Sequence, residues 1–386
     1  MVPKVRRAVL FCVLLLLVGL TAAWWGVRTW NAESVFEDRV SILDEDFPEA
    51  EFYSSASQEE LVDLADDEVK SLLERFPNSA AALNVQANRD FLLSNMVAAE
   101  ESWKSALALE PRNPDALFGL ANIAFQAGEY DEAIALCEGL LRTAPGNPRV
   151  PLLLADSFMN KGQAELAVLV LEQHILSEPT SVQAFEMLGS AQLSVGSYHK
   201  AIDCFTQALE FAPNSKDSYY GLGQAHAGLG DKAKSAEAMQ QFAKLANSKS
   251  QSTTIEAQAF EDRDQAAHVA AQVYLDSALV YKTAGDLPAS QSRILKALRL
   301  QPNVVAWLEE LQRVLQLQGL RLQAADVGER LVSLLPKEVR HWLTLGSLYA
   351  ELEQPEPAIA AFRKAIELEP DREECQAAKS IIQRLK

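Results

Sequence analysis

Pro77, Pro111, Pro145, Pro179 and Pro213 stand 34 residues apart, and Pro302, Pro336 and Pro370 resume the same spacing. The interval between the two sets is 89 residues, which is two periods with 21 left over. A proline cannot continue a helix and biases the residue before it away from helical geometry. Prolines at one fixed period therefore punctuate a chain of like units. A unit that short cannot bury an apolar face alone, so neighbouring units must stack to make a continuous core. The 386 residues are thus expected to form an extended array rather than one globular core.

Within each unit a second order is visible when the third residue after the proline is counted as position one. Position 20 is Ala99, Ala133, Ala167, Ala201, Ser235, Ser290, Ala324 and Ala358. Position 15 is often glycine, as in Gly128, Gly162, Gly196, Gly230, Gly285 and Gly319. Position 24 is mostly large, including Trp103, Leu171, Phe205, Met239, Ile294 and Phe362, and position 27 is small or apolar in most copies, including Ala106, Ala208, Ala297 and Ala365. Apolar residues at spacings of three and four on each side of the glycine predict two amphipathic helices per unit. The small residue at position 20 marks their closest approach. Eight units cover 80–247 and 271–372, preceded by a half unit, LVDLADDEVKSLLERFP, and followed by an amphipathic stretch ending at Lys386 that would cap the array.

These features resemble the tetratricopeptide repeat family. The segments 182–215, with Phe185, Leu188, Gly189, Ala201, Phe205, Ala208 and Pro213, and 339–372, with Trp342, Leu345, Gly346, Tyr349, Ala358, Phe362, Ala365 and Pro370, carry the likeness best. The resemblance implies an all-α, right-handed superhelical solenoid of helix-turn-helix repeats. Two departures stand out. The unit at 305–338 has Gln312 where small residues normally sit and Gly328 at position 24, which predicts looser packing there. Pro151, at the fourth position of 148–181, fits only within a first helical turn.

The 21 additional residues, SKSQSTTIEAQAFEDRDQAAH, begin as a Ser/Thr/Gln-rich loop. Thr253 and Glu256 then have capping-box spacing, and no Gly or Pro follows until Gly285. One long helix is expected from about Thr254 to Ala284, overshooting its unit by ~25 Å. It carries Phe260, Ala267, Tyr274 and Tyr281 at seven-residue intervals. Two readings apply: a spacer that bends the five-unit block against the three-unit block, or a docking ridge for a partner or second copy. The spacer is favoured, because a stripe at helical spacing is most often core.

In the family, the inner surface is built from the first helix of each unit, largely from positions 2, 5, 9, 12 and 13. The resemblance therefore points to a peptide groove. Position 9 of the first five units is Asn88, Asn122, Asp156, Ser190 and Gln224. Beside it run Phe91, Phe125 and Met159 at position 12, and Asn84, Phe118, Glu186 and Tyr220 at position 5. Short polar groups can pair with a peptide backbone while apolar neighbours accept its side chains. Solvated polar residues combined with inter-repeat packing would give the same pattern. The carboxylate clamp of some relatives requires Lys, Arg and Asn together. Here Arg149 is alone among the first five units, and Arg313 and Arg340 are isolated in the last block, so that specificity is not expected.

The N-terminus, MVPKVRRAVLFCVLLLLVGLTAAWWGVRTW, has three basic residues and then an apolar run from Ala8 to Trp25. It is close to the ~20 residues that cross a bilayer, with Trp24, Trp25 and Trp30 where an interfacial belt would lie. A cleaved signal peptide ending near Thr21-Ala22-Ala23 is the competing reading. The basic flank orients the segment with its N-terminus in the cytoplasm and the repeats outside. The expected organisation is a signal anchor over 1–30, an acidic linker over 31–57, a half repeat with five units over 58–247, the insertion over 248–270, and three units with a capping helix over 271–386.

Beyond residue 30 the chain has 31 basic against 53 acidic residues, a balance that argues against nucleic acid as a partner. The four cysteines and five histidines are scattered, with no CxxC, CxxCH or HExxH. No GxSxG, Walker loop or GxGxxG occurs, and the Glu261-Asp262-Arg263-Asp264 run reads as surface charge. Cys137 and Cys204 fall two units apart, too far for a disulfide, so free and mostly buried thiols are expected. Neither catalysis, a cofactor nor a metal is expected. Two functions remain: a membrane-tethered scaffold gathering protein or peptide partners, or a dedicated accessory subunit of an envelope machine that docks one partner through 254–284.

Overall fold

Each proline-to-proline unit folds into two antiparallel helices because three local signals agree. In four units the first helix is opened by a side-chain cap: Ser79, Asn113, Ser181 and Ser215 accept from the backbone N–H groups of Ala82, Ala116, Ala184 and Ser218, whereas Pro148 and Glu338 open theirs without one. It is closed at position 15, where Gly128, Gly162, Gly196, Gly230, Gly285 and Gly319 all take φ between +73° and +84°. That left-handed residue turns the chain so that the following N–H groups reach back to the last carbonyls, as Gly128 does to Phe125 and Glu129 to Ala124. Ser94 and Glu353 hold the same place at φ 61° and 57°, although they are not glycine. Where a proline follows, the second helix ends two residues before it, as at Leu109, Thr143, Ser177 and Phe211.

The computed structural model describes Leu43 and residues 55–249 and 255–385. The expected anchor over 1–30, nearly all of the linker, and the loop with Thr253 lie outside the described residues. Among those described, the fold is all α-helix with no strand, and no helix is long and apolar enough to cross a membrane. The half repeat is α1 (Gln58–Arg75). The first five units are α2 (Ala80–Leu92) with α3 (Met96–Leu109), α4 (Pro114–Gln126) with α5 (Tyr130–Thr143), α6 (Arg149–Asn160) with α7 (Ala164–Ser177), α8 (Val182–Ser194) with α9 (Tyr198–Phe211), and α10 (Lys216–Gly228) with α11 (Lys232–Lys249). The sixth pairs α12 (Ile255–Thr283) with α13 (Leu287–Leu300). The last two are α14 (Val305–Leu317) with α15 (Arg321–Leu334) and α16 (Val339–Glu351) with α17 (Pro355–Leu368), closed by α18 (Glu373–Leu385).

The small residues expected at closest approach are sealed: Ala99, Ala133, Ala167, Ala201, Ser290, Ala324 and Ala358 have no exposed surface. The large residue at position 24 fills the space above a first-helix glycine. A Cβ on Gly189 would sit 2.7 Å from the Phe205 ring, and one on Gly221 in the next unit 2.2 Å from the same ring. Phe205 is thus a wedge shared by two successive units. Trp103 against Gly119 and Phe362 against Gly346 repeat the device.

The looser packing expected at 305–338 is not found. Gln312 is buried, donates from Nε2 to the Ala324 carbonyl at 3.0 Å, and lies where a Cβ on Gly328 would meet it at 2.8 Å. The long side chain on the first helix fills the space that a large position 24 fills elsewhere. Trp307, Leu308, Leu311, Val314 and Leu315 are buried around it.

The insertion also departs from expectation. The long helix exists, as α12, but it does not hold one block away from another. It packs on α1, α2 and α13 rather than on α11, its neighbour in sequence. Its added half supplies what α1 lacks, a first helix to pair with. Ala266 and Ala267 close over Ala56 and Leu61, and Val269, Ala270 and Val273 share a core with Ala65, Val69, Leu72, Ala82 and Val85. Phe76 meets Tyr281 edge-on with ring centroids 5.1 Å apart. Arg293 on α13 bonds Glu68 on α1 at 2.9 Å, and its guanidinium lies 4.0 Å over the Tyr281 ring. The sixth unit therefore stands at the beginning of the stack, not after the fifth. The physical reason is the apolar face of α1, Leu61, Ala65, Val69 and Leu72, which α12 covers.

The compact units accordingly divide at 304/305, giving 49–304 and 305–386, rather than at the insertion as the proline spacing suggested. In the second unit α18 covers α17, with Cys375, Val339 and Ala365 in one core cluster.

Candidate functional site

The first helices α2, α4, α6, α8 and α10 bring the expected groove residues into register, and the structure gives them four different fates. Asn84 is buried, at 5% exposure, and donates from Nδ2 to Asn113 Oδ1 at 2.8 Å. Asn113 is the cap of the next first helix, so Asn84 steadies a cap rather than facing a ligand. Glu186 does the same three units further on: it accepts from the hydroxyls of Ser215 and Ser218, the latter at 2.7 Å, and Ser215 caps α10. Position 5 is thus a link between units wherever it is polar and short of solvent. A signal for this was present in the sequence, since each of these residues precedes by 29 a Ser or Asn in cap position.

Asn88 is occupied by the chain itself. Its Nδ2 donates to Asp276 Oδ2 on α12 at 3.0 Å, and Gln272 Nε2 donates to the other carboxylate oxygen at 2.8 Å. Burial pushes the Asp276 carboxyl above the ordinary carboxylate range, against the lowering pull of the Asn88 and Gln272 hydrogen bonds and of the Arg149 guanidinium. The α2 end of the row is therefore closed by α12. The same packing buries Ala267, Tyr274 and Tyr281, so most of the stripe expected to form a docking ridge faces the chain's own α1 and α13.

The apolar members serve mainly as packing. Phe91 lies against Trp103 and Phe125 against Tyr130, each with centroids 5.7 Å apart. Phe118 lies under Arg149, whose guanidinium is 4.8 Å from the ring centroid, and both Phe118 and Met159 pack onto the core cluster around Leu153 and Phe158. Asn122 returns its amide to the Phe118 carbonyl at 2.9 Å, within its own helix.

What stays open is the distal part: Asp156 on α6, Ser190 on α8, and Tyr220 and Gln224 on α10 are exposed. Ser190 donates to the Glu186 carbonyl and keeps its oxygen lone pairs for an incoming N–H. Tyr220 lies 5.3 Å from the Phe242 ring, centroid to centroid, and is 43% exposed. This row offers amide, carboxylate, hydroxyl and aromatic groups across three successive first helices. It can bind and orient a polypeptide; it holds no nucleophile paired with a base.

The described cysteines Cys137, Cys204 and Cys375 are free, as expected from their placement. Burial pushes the Cys137 thiol up to about 12 and, as the largest cause, the Cys204 thiol up to about 11, so neither is a thiolate at neutral pH. Among the described residues no group of three or more His, Cys, Asp or Glu is placed to hold a metal ion.

An all-helical array with an exposed row of polar and aromatic side chains along its first helices defines a helical-repeat protein of the kind that binds other proteins. Sequence models of the tetratricopeptide repeat match residues 97–148 and 186–250, 124–190, and 339–372, so the chain carries tetratricopeptide repeats. Among solved structures, residues 41 to the end of MamA from Desulfovibrio magneticus RS-1 align at 20% identity and a TM-score of 0.41, covering 44% of this chain and 97% of that one. A second MamA crystal structure aligns at 15% identity and a TM-score of 0.40, covering 49% and 99%. The Cut9–Hcn1 hetero-tetramer of the APC/C aligns at 17% identity and a TM-score of 0.31, covering 75% and 59%. No curated protein matches the chain by sequence.

Proposed function

We propose that the chain is an interaction scaffold that receives an extended polypeptide segment along the open row on α6, α8 and α10. The observation that carries this reading is the exposure, in register on three consecutive first helices, of Asp156, Ser190, Tyr220 and Gln224. Closure of the α2 end by α12 shortens the binding face to this distal part. We further propose that the apolar N-terminal run tethers the array to a membrane, with the repeats on the extracytoplasmic side. The support is the basic flank before residue 8 and the acidic balance after residue 30.

The test is retention of proteins from an envelope extract on the immobilised full-length chain, beside the variant D156A/Y220A/Q224A. Proteins held by the first and lost by the second, with both equally folded, support the row as the binding face. Proteins held equally by both refute it. One stoichiometric partner would mark a dedicated accessory subunit, several a general scaffold. Protease accessibility of the repeats in sealed, oriented membranes tests the placement.

A further inference from the structure

Helix α7 is unlike every other second helix in the array. Its sequence, AELAVLVLEQHILS, buries Ala164, Ala167, Leu171 and His174 toward the core. On the outward side it still exposes Leu166 at 42%, Leu169 at 63% and Leu176 at 77%. With the exposed Gln173, these positions run 166, 169, 173, 176. That is the alternating three-four spacing of a coiled-coil seam over two heptads. The equivalent positions of α9 are Lys200, Asp203, Gln207 and Glu210, and none of the other seven second helices has a large apolar residue at any of the four. The repeat supplies its own control: at these four positions every other second helix carries only polar or small residues. A second line of large apolar residues on a helix whose opposite side already faces the core is a face with a cover of its own.

The charges beside the seam say what covers it. Taking Leu166 and Gln173 as a positions, the g positions are Glu165 and Glu172, both exposed and neither in an ion pair among the described residues. The e positions are Val170 and Ser177. A second copy docked antiparallel on the same seam would set glutamate against glutamate, and one docked parallel would give the glutamates no cation. Flanking charges choose coiled-coil partners by this means. We propose that the outward face of α7 is a docking site for one amphipathic helix of another protein, about three turns long, with apolar residues on its seam and Lys or Arg facing Glu165 and Glu172. This site is separate from the row on the first helices and does not depend on it.

The probes are two labelled 21-residue helical peptides with Leu at a and d, one with Lys and the other with Glu at e and g. Each is titrated against the full-length chain by fluorescence anisotropy. The Lys peptide is expected to bind at least about tenfold more tightly than the Glu peptide, to weaken with added salt, and to lose at least about tenfold in affinity for L169Q/L176Q. The charge reversal E165K/E172K is expected to exchange the preference toward the Glu peptide, a readout that a folding defect cannot imitate. Binding of neither peptide, equal binding of both, unchanged binding of the Lys peptide to L169Q/L176Q, or an unchanged preference after charge reversal would each overturn the proposal. So would concentration-dependent self-association of the wild type that L169Q/L176Q abolishes, which would make a second copy the occupant.

Discussion

At the scale of single residues, the array is held in register by places where only one side-chain volume fits. Ser94 and Glu353 sit in the left-handed turn that glycine fills in the other units, and both are exposed. Ser94→Gly and Glu353→Gly are expected to raise stability by about 0.5–1 kcal/mol each, because the relief of Cβ crowding exceeds the added freedom of the unfolded chain. A higher urea midpoint at unchanged slope is the check. The opposite holds under Phe205, where Gly189→Ala and Gly221→Ala force the ring to move and are expected to cost about 1–3 kcal/mol. Asp276 adds a pH dependence. Its pKa is raised in the folded chain, so its contribution favours folding most when it is protonated and is lost as pH rises through the raised value. D276N is therefore expected to stabilise the 49–304 unit at neutral pH and to converge with wild type in acid, read as the difference between their urea midpoints across pH.

At the scale of elements, the joint between α1, α12 and α13 is the least local part of the molecule and the most informative to break. Glu68 is 6% exposed and bonds Arg293, 225 positions away in sequence. Removing one partner leaves a buried charge, so Glu68→Ala is expected to cost up to about 3 kcal/mol, and E68M/R293M to recover much of it. Chemical denaturation of the wild type and the two variants gives the comparison. The periodicity in the sequence identified each of these elements: the half repeat, the long helix near 254–284 and the pairing of each first helix with its second. It did not show which elements meet. Ala266, Ala267, Val269 and Ala270 look like an unremarkable helical stripe until Leu61, Ala65 and Val69 are seen to need covering. The groove residues were legible in the same partial way. Their register was correct, but Asn84 is taken by the next unit's cap and Asn88 by an aspartate 188 residues on, contacts that no spacing rule contains.

At the scale of the whole molecule, closure makes α1 dependent on residues near the middle of the chain. A fragment 55–249 leaves Leu61, Ala65, Val69 and Leu72 uncovered, so rapid proteolysis within 58–75 is expected, whereas a fragment 55–304 should resist at the same sites. Equal cleavage in both fragments would show that α12 and α13 do not protect α1. The repeat, its helix pairs, the glycine turns and the wedge residues are all encoded by neighbours within about one period. Such short-range patterns are visible in a linear sequence, because helix geometry turns spacing directly into facing. The order of units in space, the closing of the groove at Asn88 and the division at 304/305 come from contacts between residues hundreds of positions apart. Those were decided only in tertiary structure. Many helices of similar composition could cover α1, and the one that does is selected by fit and buried area rather than by any local signal.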